Sequence, residues 1–112
     1  SSLDAWSSLL ELLTEPIPPT AAFPHGAAVW YAYLARGVVD PKIGEIVRDA
    51  SRGTVEEASS LLASVCAPPG EAERLVSLSN GLTQRVLNGA TTSQEALTIL
   101  RDEIDLLKAR ST

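Results

Sequence analysis

The sequence holds 112 residues, 45% of them hydrophobic, with nine basic and fourteen acidic side chains and a formal net charge of −5. That length supports one domain with a core, the composition is too apolar for a disordered chain, and no apolar run is long enough for a bilayer span. The basic residues are dispersed, a poor footprint for nucleic acid, and the single cysteine, Cys66, excludes an internal disulfide and suits a reducing, cytoplasmic setting.

No segment has the charged, apolar and small-residue order of a signal peptide. Methionine is absent altogether, so either an initiator was removed or the chain was cut from something longer. Leu3, Trp6, Leu10 and Leu13, with Leu9 and Leu12 beside them, predict a short first helix. Pro16 ends it, because the residue before a proline is pushed out of helical geometry. Four prolines between positions 15 and 24 make a stiff loop, either a plain connector or the rim of a cavity.

The spacing predicts a second helix over 26–36, stopped at Gly37. Its stretch from Ala27 to Ala35 is apolar nearly all round, which predicts a central, buried helix. Trp30 and Tyr33 share a face at i, i+3, and Tyr31 points elsewhere. Asp40 as N-cap and Pro41 at the first helical position open a third helix. The stripe Ile43, Val47, Ala50, Thr54, Ala58, Leu61 and Val65 keeps phase across Gly53 and favours one long helix to Cys66. A capping box at Thr54 to Glu57 would split it in two. Cys66, on or beside that stripe, is expected to be buried.

Residues 71–108 predict two amphipathic helices joined by a tight connection. Leu75, Leu78, Leu82 and Val86 line the first, and Asn88-Gly89 supplies a left-handed stop. Thr92-Ser93-Gln94-Glu95 is a capping box, with the Thr92 oxygen accepting from the Glu95 amide and the Glu95 carboxylate reaching back. Leu97, Leu100, Ile104 and Leu107 repeat with heptad spacing in the last helix. With Ala96, Ile99 and Leu106 they cover about half the cylinder, more than the ~100° stripe of a surface helix. The hairpin is therefore expected to pack on its own chain with one side and on a second copy with the other. No strand pattern, repeat or low-complexity tract interrupts these helices.

An enzyme is hard to build from these residues. There is one histidine, His25, in a Pro-His-Gly turn with no orienting partner, and no cluster with metal-ligand spacing. No catalytic residue, metal or cofactor is expected. The aromatic group is more informative: Trp30 and Tyr33, with Trp6 and Phe23 as candidates to join them, make either a hydrophobic core or the wall of a small-molecule cavity. Arg48 and Thr54 are the candidate polar groups.

An aromatic-rich helix, Asp40-Pro41 opening a long helix, Asn80-Gly81-Leu82, Arg85-Val86-Leu87-Asn88-Gly89, then Thr92-Ser93-Gln94-Glu95-Ala96 follow one another over nearly the whole chain. This order resembles the C-terminal domain of TetR-family transcriptional regulators; Asn80 stands where an Asp is often found. The resemblance implies an all-α, five- to six-helix orthogonal or antiparallel bundle over 1–112, whose last two helices form a four-helix bundle with a second copy. It further implies a cytoplasmic homodimer with a small apolar effector, no membrane contact, and DNA read only through a helix-turn-helix absent from this chain. The ligand-binding set would be Trp6, Phe23, Trp30, Tyr33, Arg48 and Thr54. The dimer interface would be Leu75, Leu78, Leu82, Val86, Leu97, Leu100, Ile104 and Leu107. The alternative is a stand-alone helical interaction bundle with a solid core and no ligand.

Overall fold

The computed structural model describes residues 2–18 and 25–111. Phe23 and most of the proline-rich loop lie outside them, as do the side chains of Leu3 and His25. The described residues fold into five helices: α1 (Ser2–Thr14), α2 (His25–Gly37), α3 (Pro41–Ser64), α4 (Glu71–Leu87) and α5 (Ser93–Arg110). The bundle is all-α, and no helix among the described residues is long and apolar enough to cross a membrane.

Local chemistry sets the helix ends. The Asp40 carboxylate accepts from the amides of Lys42 and Ile43, so two donors that the first turn of α3 leaves orphaned are satisfied. The helix then passes Gly53, where nothing lies within 4 Å of an added Cβ, and it continues as one rod. At its end Ala67 N–H bonds Leu62 C=O and Cys66 N–H bonds Ala63 C=O, a Schellman motif. Cys66 occupies the left-handed position, φ 58°. That turn lifts its side chain off the apolar stripe: Cys66 is exposed, and the expectation of a buried thiol is corrected. Helix α4 ends with the same motif, Ala90 to Arg85 and Gly89 to Val86, here with Gly89 at φ 80°. In the next turn the Thr92 oxygen accepts from the Glu95 amide at 3.0 Å. The Glu95 carboxylate takes the Thr91 hydroxyl at 2.9 Å, where the sequence pattern suggested the Thr92 amide.

The core is built around α1, which packs on α3, α4 and α5. Trp6, Leu9, Leu13 and Ile17 meet Ala58 and Leu62 of α3, Ala72, Leu75, Val76, Leu82 and Val86 of α4, and Ala96, Leu100, Ile104 and Leu107 of α5. Pro16 lacks an N–H and the Ile17 amide turns to Thr14, so the Leu13 carbonyl has no helical donor. The Ser79 hydroxyl of α4 donates to it at 2.5 Å, and the Ser93 hydroxyl of α5 donates to Pro18 C=O at 2.5 Å. The end of α1 is thus tied to both later helices.

Helix α2 is not central. None of its described side chains is buried, among the described residues it packs only on α3 and α4, and Val29 and Tyr33 are 55% and 50% exposed. The apolar count misled because four of the nine residues from Ala27 to Ala35 are alanine, which favours helix without adding much area to bury. Gly37 does not stop α2 by a left-handed turn; among the described glycines only Gly89 has positive φ. A Cβ on Gly44 would lie 2.7 Å from Gly37 C=O, and one on Gly37 would lie 3.1 Å from Gly44 Cα. The two glycines let the α2 and α3 backbones touch.

Candidate functional site

A cleft of about 480 Å³ opens where the end of α1 meets α2, α3 and α4. On α4, Val76, Asn80 and Thr83 contribute at i, i+4 and i+7, one helical face. On α3, Ala50, Ser51 and Thr54 form a wall, Trp30 and Tyr31 of α2 form the facing wall, and Glu15 and Pro16 stand at the rim. The Thr83 hydroxyl is bound to Ser79 C=O and that of Thr54 to Ala50 C=O. Thr54, only partly buried, keeps an oxygen lone pair that a donor in the cleft can use, whereas Thr83 is fully buried behind the wall.

Tyr31 is the polar group that defines the site. Its hydroxyl donates to Asn80 C=O at 2.6 Å, joining α2 to α4 across 49 residues of sequence. Burial pushes its phenol pKa up from the usual value near 10. Tyr31 therefore stays a neutral donor across the physiological range.

The structure places Trp30 and Thr54 together in this cleft. Trp6 sits elsewhere, in the core at 8% exposure. Tyr33 faces outward, one step round the helix from the wall that Trp30 and Tyr31 form. Arg48 is exposed, with its guanidinium beside the Gly37–Gly44 crossing, 3.3 Å from where a Gly44 Cβ would stand. Helical phase explains the exchange of Tyr33 for Tyr31. The less exposed residues of α2 are Trp30, Tyr31, Leu34 and Gly37, a stripe at i, i+1, i+4 and i+7 that the even spread of alanines hid. Asn80 and Thr83 carried a usable signal, being polar residues in phase with the apolar Val76.

The residues expected at a partner interface divide in two. Leu75, Leu82, Val86, Leu100, Ile104 and Leu107 are buried within the chain, and Leu78 and Leu97 are partly buried. Within the chain α5 packs on α1 and α4, and α4 packs also on α1 and α3. Leu106, 57% exposed, and the partly buried Ile99 are left along the edge of α5.

Residues 7–108 match the family of BetI-type transcriptional repressors, in their C-terminal domain. The chain belongs to that family. It is thus the C-terminal domain of a TetR-family regulator, and the match covers all five helices apart from the first five residues of α1 and the last two of α5. No curated protein and no solved structure is significantly similar to it.

Proposed function

We propose that this TetR-family domain binds a small, largely apolar effector in the Trp30–Tyr31 cleft and pairs with a second copy through α4 and α5. The effector would modulate DNA binding by a helix-turn-helix carried ahead of it, in a cytoplasmic regulator with no catalytic role. The cleft carries this reading: two aromatic rings and several hydroxyl or amide groups converge on a concave, mainly apolar surface, the usual make-up of a small-molecule site. The alternative, a bundle with a filled core, leaves that concavity without a role.

Pairing has its own support. The accessible surface is 7072 Å², about a fifth above the ~5900 Å² expected for a compact monomer of this mass. The radius of gyration, 14.6 Å, also exceeds the ~13 Å of a compact domain of this length. A standard interface hides ~800 Å² per partner, an area that this excess can supply. The partner-facing residues on this reading are Leu106 and Ile99, with the open parts of Leu78 and Leu97.

The test is a thermal-shift screen of small apolar compounds on wild type and Trp30→Ala. A true effector at a hundredfold excess over Kd adds ~2.7 kcal/mol of stability by mass action, and Trp30→Ala should remove that gain. Compounds that stabilise both proteins equally would place the site elsewhere.

A further inference from the structure

Tyr31 does not only line the effector cleft. A second depression of about 660 Å³ lies between α2 and the last turns of α4, and Tyr31 is the side chain common to both. The first adds the Glu15 carboxylate and the Ser51 and Thr54 hydroxyls to the apolar Pro16, Trp30 and Val76; the second has no charged group among the described residues, and its alkyl residues Ala28, Leu34, Val38 and Leu87 stand beside the amides of Gln84 and Asn88.

We infer that Tyr31 is a gate between them, latched by its hydrogen bond to Asn80 C=O, and that its release makes one channel for a single-chain amphiphile. The polar end would sit beside Thr54 and Asn80 and the alkyl chain would run between Leu34 and Leu87. The inference rests on the effector reading above and adds the shape and chemistry of the ligand.

The latch is built to open. Asn80 lies within α4, so its carbonyl keeps the helical donor four residues on when Tyr31 leaves. Tyr31 is only partly buried, so its freed hydroxyl meets water and no buried polar group is orphaned. No described α2 side chain belongs to the main hydrophobic core, so a small swing of that helix leaves that core closed. The Gly37–Gly44 backbone contact at its far end gives the swing a fixed point.

Two probes of different length test this: 1-butanol and 1-decanol, titrated into wild type and Tyr31→Phe, with affinities from calorimetry and sites from methyl NMR shifts. Butanol should perturb the Thr54 methyl alone, and decanol both Thr54 and the Leu34 and Leu87 methyls. Each methylene that enters the second depression should tighten binding about fourfold. Removing the latch should tighten decanol about fivefold, the worth of one ordinary hydrogen bond, and leave butanol within twofold. Equal effects on both alcohols, or decanol confined to one depression, would overturn the gate while leaving the effector cleft intact. If neither alcohol reaches Thr54, the effector reading fails and the gate falls with it.

Discussion

Tyr31 joins the site to the stability of the fold. Its pKa is raised in the folded chain by burial, so folding binds the phenolic proton more tightly than the unfolded chain does. The stability this brings is complete below pH ~10, the unfolded value, and is lost as pH rises through the higher folded value. The same ionisation removes the donor that holds Asn80 C=O. Urea titrations should therefore show wild type losing stability relative to Tyr31→Phe above pH ~10, with a constant difference between pH 6 and pH 9. A difference that stays flat to pH 11 would mean that the phenol is not held neutral by its surroundings.

At the scale of elements, α1 organises the bundle, and its last turn depends on one hydroxyl. Ser79 is 2% exposed and donates to the Leu13 carbonyl that the proline-rich exit leaves without a helical partner. Ser79→Ala should cost ~1–3 kcal/mol, the penalty of a buried acceptor left unpaired; a thermal melt within 1 °C of wild type would contradict this. Most of this level was legible in the sequence. Asp40-Pro41, Asn88-Gly89 and Thr92 to Glu95 announce their helix ends because caps are local chemistry, and the phase of Ile43 to Val65 across Gly53 gave one long α3. The ranking of helices by depth was not legible. Alanine counts as apolar wherever it stands, so α2 looked more buried than α1, whose larger Trp6, Leu9 and Leu13 fill the core. The site was half legible for the same reason. Trp30 and Thr54 were recognisable by type, whereas choosing Tyr31 over Tyr33 needs the rotation of α2 about its axis. Glu15 joins the cleft through tertiary packing that no single helix records, whereas the phase of Asn80 and Thr83 on α4 marked their face.

For the whole molecule, the 43 × 30 × 18 Å extents describe a flattened body about two helix layers thick, a shape that gains by pairing faces. Leu106→Glu, on the exposed edge of α5, should give folded monomers in sedimentation equilibrium, whereas Leu100→Glu, with its side chain fully buried, should unfold the chain. Wild type sedimenting as a monomer at tens of micromolar would contradict the pairing. The effector cleft is tested most directly by the two tryptophans together. Trp30 lines the cleft and Trp6 lies in the core, so the chain carries a reporter and its own control. In a nitrogen–proton NMR titration with a stabilising compound, the Trp30 indole N–H should move in a saturable way along with the amides of Tyr31, Thr54 and Asn80, and the Trp6 indole should stay in place. A stationary Trp30 indole, with saturable shifts gathered elsewhere, would contradict the cleft as the effector site.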